Sequence, residues 1–430
     1  ERKNGYRRGS GHHRVPVKTN PLRWAALSVF VLCSAINYLD RQTLATLAPL
    51  LRAEFHLSNA QYGLILTAFS IAYAACAPFA GILIDRIGLN RAISLAVGVW
   101  SCAGIFTGFT RGLGGLLACR GVLGMSEAAG IPGAGKAIHR YLLPAERALG
   151  NALNQAGVSL GLILAPPVAT WIAVNYGWRH AFAITGALGL LWIPLWNWTA
   201  RRTEPLIAPE PGPSAGDPAA PGVADLLRSR CLWGLVIANA LNMSVYSLWT
   251  NWTMLYLVEQ HHLTMVAAAW YAWIPPLVAA FGGFGGGWLS LRWMRAGAPV
   301  VAARTRVCLA GALLALPAAL IPLLPTAGWA AAGISLSILA VSAVSVNMYT
   351  LPLDIFGGAR AAFAISMLVA SYGAVQALIS PAIGAVVDAR GYGPVCLGAA
   401  VLPLAAYAVL KWTGTVRTRT DKPAGSGCAT

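Results

Sequence analysis

Apolar residues in this chain run in long unbroken tracts joined by short polar connections. Twelve tracts can be marked, at residues 22–50, 61–84, 92–110, 112–138, 148–175, 181–199, 231–257, 266–291, 307–325, 327–352, 361–387 and 392–411. Each is long enough to cross a hydrocarbon layer of about 30 Å. The short alternating strands that an outer-membrane barrel requires are not the pattern here. The pattern predicts an all-α polytopic membrane protein with 12 transmembrane helices. An even number of crossings puts both termini on one side. The longest polar connection, 200–230, holds Pro205, Pro209, Pro211, Pro213, Pro218 and Pro221 among Gly, Ser and Ala, the composition of a flexible linker. The expected organisation is therefore a basic tail over 1–20, a six-helix bundle over 21–199, a linker over 200–230, a second six-helix bundle over 231–411 and a tail over 412–430.

Composition agrees and excludes other classes. Of 430 residues, 57% are hydrophobic and 10% are charged, against about 25% charged in soluble domains. A soluble multidomain enzyme, a disordered chain and a small disulfide scaffold are excluded. The 31 basic and 14 acidic residues leave a net charge of +17. With the termini inside, 25 of the 31 Lys and Arg fall on the inner side, five (Arg41, Arg52, Arg111, Arg179, Arg390) on the outer side, and Arg120 within a tract. That asymmetry is the positive-inside rule. It predicts cytoplasmic termini and accounts for the charge without nucleic acid. Eight cysteines show no paired spacing and no CxxC, so neither a disulfide framework nor a metal site is expected. The chain begins on Glu1 rather than Met, so its native start is expected to be missing.

Charged groups inside apolar tracts are expensive and point to function. Four stand out: Asp40, Arg41, Arg120 and Glu127. Arg120 and Glu127 lie two turns apart on one helix face, roughly 10 Å along the axis, too far to pair directly. Arg120 stays protonated and presents a planar fork, so it is the candidate contact for a substrate carboxylate. Glu127, among Gly, Ala and Met, is the candidate proton carrier; the alternative is a structural Glu bonded to a neighbouring helix. Asp40-Arg41 has two readings. Residues 21–39 alone could span, ending the helix at the surface, or the apolar 44–51 continues it and the pair faces a cavity. The four charges sum to zero, so a monoanion entering with one proton keeps them balanced, which suits proton symport.

Polar and aromatic groups suited to a hydroxylated ligand are Tyr38, Tyr73, Asn154 and Gln155 in the first half, Asn242, Tyr246, Trp249, Thr250 and Asn251 in the seventh tract, and Asn347, Tyr372 and Gln376 beyond it. Trp252, Trp270 and Trp273 read as interfacial belt residues. The glycines of 282–287 end in no Gly-Lys-Ser/Thr, so they read as helix packing rather than a phosphate loop. No Ser-His-Asp set, HExxH or ATP motif is present, so no enzymatic activity and no cofactor are expected. Energy must come from an ion or substrate gradient.

Particular stretches resemble known sequences. Gly81–Arg91, GILIDRIGLNR, resembles the Gly-x-x-x-Asp-Arg-x-Gly-x-x-Arg loop of the major facilitator superfamily. Asn37–Arg41, Arg120-Gly121 with Gly124, Glu127-Ala128 and Pro132, and Tyr176–Phe182 resemble its anion:cation symporter family. Ala272–Pro275 and Gly286–Ser290 are similar to the hexuronate and sugar-acid branch. Two weak internal echoes, Gly81–Arg86 with Gly287–Arg292 and Gly157/Pro166-Pro167 with Gly373/Pro381, fit two parallel six-helix repeats. The sequence departs from the pattern at Leu291, where the second-half loop often has Asp, and in the eleventh tract, which offers Tyr372 and Gln376 in place of an Asn before the proline.

The resemblance implies a carrier of two six-helix bundles that imports an organic anion, commonly a sugar acid such as a hexuronate or aldonate, with protons or sometimes sodium. It implies Arg41 as a second anion contact, Asp40 as a second protonatable site, and Asp85, Arg86, Arg91 and Arg147 as gate residues at the cytoplasmic face. The expected ligand contacts are Arg41, Arg120, Tyr38, Tyr73, Gln155, Trp249, Asn251, Tyr372 and Gln376. The expected setting is a monomer in a bacterial inner membrane. The alternatives are an exporter working by antiport, against which GLILAPPVA in the fifth tract lacks the Gly-Pro-x-x-Gly-Gly signature; a sugar-phosphate exchanger, against which no arginine lies deep in the second half; and a non-transporting polytopic protein.

Overall fold

The computed structural model describes residues 22–143, 146–203, 223–356 and 358–414. These form helices throughout: α1 (Leu22–Phe55), α2 (Asn59–Ile87), α3 (Leu89–Thr107), α4 (Leu113–Glu127), α5 (Gly130–Tyr141), α6 (Arg147–Tyr176), α7 (Trp178–Thr203), α8 (Val223–Arg228), α9 (Arg230–His261), α10 (Met265–Ala272), α11 (Ile274–Arg295), α12 (Val300–Leu314), a 3-10 segment (Leu316–Leu323), α13 (Ala327–Phe356), α14 (Gly358–Arg390) and α15 (Gly393–Trp412). Eleven stretches among the described residues are long and apolar enough to cross a membrane. The chain is thus a multi-pass membrane protein. The two tails and most of the linker expected over 200–230 lie outside the described residues.

The fourth predicted crossing, 112–138, is two helices of 15 and 12 residues. Pro132 has no N–H, so it cannot donate to the Ala128 carbonyl four residues back. The Ala129 amide bonds instead to Ser126 O, a tighter turn, at 3.3 Å. The helix breaks immediately after Glu127. Proline acts the same way elsewhere: Pro275-Pro276 restart the eighth crossing at α11, and Pro317 and Pro322 lie in the 3-10 segment that follows α12. By contrast α1 runs unbroken for 34 residues. Asp40 and Arg41 therefore lie in mid-helix. The surface-end reading of that pair is corrected, and with it the assignment of Arg41 to the outer side.

Helices α1–α7 pack on one another, as do α9–α15. In the first half Trp192 stacks on Trp196 at 5.4 Å, with Phe30 and Tyr141 set edge-on against Trp196. Among the described residues six cysteines are free, and Cys231, contrary to expectation, is disulfide-bonded.

Among the described residues the halves meet most closely at one end. Arg52 forms an ion pair with Glu259, which also accepts from Tyr392 Oη at 2.8 Å. Asp388 caps α2 from the other half: its Oδ1 accepts from Asn59 N at 3.0 Å and Asn59 Nδ2 at 2.9 Å, and its Oδ2 from Ala60 N at 2.9 Å. Those are the orphan amides of a helix start. Tyr62 Oη donates to Asn251 O at 2.9 Å, and Thr67 Oγ1 to Ala377 O at 2.6 Å. Trp252 packs edge-on to Tyr62 at 5.2 Å and is 1% exposed, so it is an interface residue rather than a belt residue.

Glycine positions record how the halves diverge along α2 and α14. A Cβ on Gly63 would collide with the Ser380 carbonyl, and one on Gly384 with Asn59 O. At mid-depth Gly373 faces Ala74 Cβ across 3.7 Å. One further repeat along the same α2 stripe, a Cβ on Gly81 would meet no atom of a described residue within 4 Å. The space between the halves thus opens toward the end that carries Asp85, Arg147 and Arg292.

Replacing Asp388 by Ala removes three hydrogen bonds to a charged acceptor, each worth about 1.5–3 kcal/mol. The expected result is a rise of at least roughly tenfold in the state whose other end is open. Spin labels at Ala53 and Val266 should report it as a longer distance across the closed end; an unchanged distribution would show that Asp388 does not hold the halves together.

Candidate functional site

The continuity of α1 builds the site. Asn37, Asp40 and Arg41 stand three and four residues apart and share one helix face. Arg41 Nε and Nη2 both donate to Glu127 Oε2, at 2.9 and 2.7 Å. Aromatic rings surround the same guanidinium, with Tyr38 at 4.8 Å, Phe69 at 4.7 Å and Tyr73 at 5.3 Å from its central carbon. Such faces attract a cation. The pair is asymmetric: the Glu127 side chain is wholly buried, while that of Arg41 is 24% exposed. Glu127 Oε1 has no hydrogen-bond partner. The alternative of a Glu bonded to a neighbouring helix is thus what this conformation displays. Sequence spacing had separated Glu127 from Arg120 and had not paired it with Arg41.

Arg120 and Asp40 are both 4% exposed. Arg120 Nε and both Asp40 carboxylate oxygens are buried without a hydrogen-bond partner. No ion pair joins Arg120 to any described residue, although Asp40, Glu127 and Arg41 all lie within its electrostatic reach. Thr185 of α7 neighbours Asp40. A buried guanidinium without a bonded carboxylate is costly. It is also what a site needs if the carboxylate is to come from a ligand.

From the second half, Tyr246 and Tyr372 set their rings edge to face at 6.5 Å. Tyr38, Tyr349 and Arg41 lie in the same electrostatic surroundings. A band of hydroxyls and ring faces from both halves therefore adjoins Arg41. Tyr349 was missed by sequence reasoning, and Tyr246 was noted only as an available group. Both are part-exposed tyrosines within long helices, Tyr246 near the middle of α9 and Tyr349 in the last third of α13.

Other expected contacts lie elsewhere. Trp249 is 2% exposed, donates from Nε1 to Ser337 Oγ at 3.0 Å and packs on Tyr256, all within the second half. Asn251 is 8% exposed and donates from Nδ2 to Ser247 O of its own helix. Asn242 and Asn347 bond the carbonyls of Val341 and Gly286 and tie helices together; Asn154 accepts from Ser34 Oγ at 2.7 Å. Gln155 is exposed and Gln376 part-exposed. Among the expected gate residues, Asp85 accepts from Lys136 Nζ at 3.1 Å within its own half. Arg86 and Arg91 are exposed, and Arg147 is part-buried with its Nε unbonded. Among the described residues no group of three His, Cys, Asp or Glu side chains could hold a metal ion.

Comparison with known proteins follows this geometry. The sequence matches the Major Facilitator Superfamily over residues 30–366. It is 28% identical over 411 residues to the hexuronate transporter of Escherichia coli (strain K12), spanning 92% of this chain and 94% of that one. It is 30% identical over 292 residues to the galacturonate transporter of Dickeya chrysanthemi, spanning 65% and 84%. The fold matches a solved structure described as a bacterial homolog of the human lysosomal transporter Spinster, inward-facing and unoccupied, with a TM-score of 0.71 at 22% identity over 93% of this chain and 95% of that one.

Removing one partner of the Arg41–Glu127 pair leaves a buried charge. Arg41→Met is expected to lower stability by about 3–5 kcal/mol, and adding Glu127→Gln to recover most of it. Thermal unfolding of the single and double variants checks this; a double variant as unstable as Arg41→Met would mean that packing, not charge pairing, holds Arg41.

Proposed function

This chain belongs to the Major Facilitator Superfamily, and on that premise we propose that it imports a monoanionic sugar acid, a hexuronate or aldonate, by proton symport. The observation that carries the reading is the pairing of Arg41 with Glu127 beside a buried Arg120 that has no carboxylate of its own. Arg120 takes the substrate carboxylate. Its fork matches that group in a bidentate way, and in a dry site the contact is strong. A proton delivered to Glu127 abolishes the charge that holds Arg41. The freed guanidinium turns to the same anion, while Tyr38, Tyr73, Tyr246 and Tyr372 meet ring faces and hydroxyls. Asp40 is a second group able to take up the proton.

Charge balance makes the coupling obligatory. The empty site holds two cations and two carboxylates, and sums to zero. The loaded site adds one negative charge and one proton, and again sums to zero. An anion without a proton, or a proton without an anion, would carry an uncompensated charge through the closed state, at a cost of several kcal/mol. The two halves rock about the site in the manner of repeat-built carriers. Asp85, Arg86, Arg91 and Arg147 act as the gate at the open end. The surplus of Lys and Arg on that side makes it the cytoplasm, so this conformation faces inward. The setting that follows is a bacterial inner membrane, with the carrier acting as a monomer and both termini cytoplasmic.

Uptake into proteoliposomes under an inside-alkaline pH gradient tests the proposal, with labelled glucuronate, galacturonate, galactonate, glucarate and a dicarboxylate, each with and without sodium. The expected outcome is sodium-independent accumulation of one monoanionic sugar acid. Accumulation of none of them, by folded protein, would overturn it. Arg120→Ala is expected to weaken binding of that anion by roughly 100-fold or more; retained wild-type affinity would remove Arg120 from the site. Glu127→Gln should lose accumulation yet keep counterflow exchange, and accumulation at the wild-type level would exclude Glu127 as the coupling group.

A further inference from the structure

We infer that the first half carries a binding site for an anionic phospholipid, made of a basic cleft and the apolar groove that continues it. The cleft has a volume of about 480 Å³ and lies between the end of α2, the start of α3, α5 and the end of α7. Among its described lining residues are four cations, Arg91, Lys136, Arg140 and Arg201, and one carboxylate, Asp85, which accepts from Lys136. The first turn of α3 also faces it. That helix begins at Gly88 with no side-chain cap and has no acidic residue in its first turn, so its amide groups add to the positive potential. Four cations and a helix start in one concavity suit a phosphate.

The groove explains why the phosphate belongs to a lipid. It has a volume of about 620 Å³ and runs along α3 past Ser94, Gly98 and Cys102 to Phe106, against Cys119 and Val122 of α4. None of its described lining residues is charged. From Ser94 to Phe106 it extends roughly 18 Å along the helix axis. The two cavities adjoin where Ser94 Oγ, in the groove, meets Asn197 Oδ1, in the cleft, at 3.4 Å. Basic chemistry lies at the helix ends and apolar chemistry at membrane depth. A soluble anion would use the first alone. A phospholipid of that leaflet places its phosphate in the cleft and an acyl chain in the groove, and basic residues at this level favour anionic lipids. The inference does not depend on the transport reading.

The test uses the purified full chain in detergent, titrated by native mass spectrometry with phosphatidylglycerol, with phosphatidylcholine of the same chains, and with glycerol phosphate. Two variants separate the parts. Arg140→Gln/Arg201→Gln removes charge from the cleft. Gly98→Leu fills the groove: a Cβ there meets only Ile193 Cδ1, at 3.7 Å, so the larger side chain has room without disturbing the fold. Phosphatidylglycerol is expected to bind more tightly than phosphatidylcholine. The double variant should weaken phosphatidylglycerol roughly fivefold per cation removed. Gly98→Leu should weaken both lipids and leave glycerol phosphate unaffected. Equal affinity for the two lipids in the wild type would overturn the inference, as would indifference of phosphatidylglycerol to both variants. Glycerol phosphate binding as tightly as phosphatidylglycerol, with no effect of Gly98→Leu, would replace the lipid by a soluble anion.

Discussion

The Arg41–Glu127 ion pair sets the terms for the rest of the first half. Two helices carry charged groups into a medium that does not tolerate them singly. Glu127 is wholly enclosed and Arg41 is not, so the pair has one fixed member and one member open to exchange. Three aromatic rings hold the guanidinium in place without consuming its hydrogen bonds. In the proposed mechanism a ligand carboxylate and Glu127 compete for this one donor, and protonation decides the competition. Arg120 and Asp40 lie beside this pair without hydrogen bonds to it, and the four charges together balance.

Access to these groups is decided by how the halves touch. At the closed end the contacts are specific and polar: a carboxylate on helix amides, an ion pair, and hydroxyls on carbonyls. They are supported by glycine positions that let α2 and α14 approach backbone to backbone. At the open end Asp85 accepts from Lys136 of its own half. It leaves no buried orphan while the halves are apart.

Much of the architecture was legible in the sequence. Length of apolar tract is a direct physical requirement of the bilayer, so the helices appear where the tracts do. The four intramembrane charges announced themselves because nothing but function or pairing offsets their cost. Less legible were the fates of neutral polar residues. Trp249, Asn242 and Asn251 look like ligand contacts from composition, yet all three serve helix packing in the structure. A hydrogen-bonding side chain in an apolar helix must find a partner, and sequence does not say whether that partner is a ligand or a neighbouring carbonyl. Trp252 failed for the same reason: near a helix end, an interfacial belt and a contact between halves have the same composition.

What the sequence determined by itself was the class of protein, the helical crossings, the surplus of basic residues on one side and the four charges that matter. These follow from transfer energies that depend on residue type and spacing alone. The tertiary structure decided which charges pair, that Pro132 breaks the fourth crossing beside Glu127, and which end is shut. It also assigned the tyrosines of the second half to the space beside Arg41. Those outcomes depend on distances of a few ångströms between helices remote in sequence. Electrostatic and hydrogen-bond energies fall off steeply over that range, and no periodicity along a single chain encodes it.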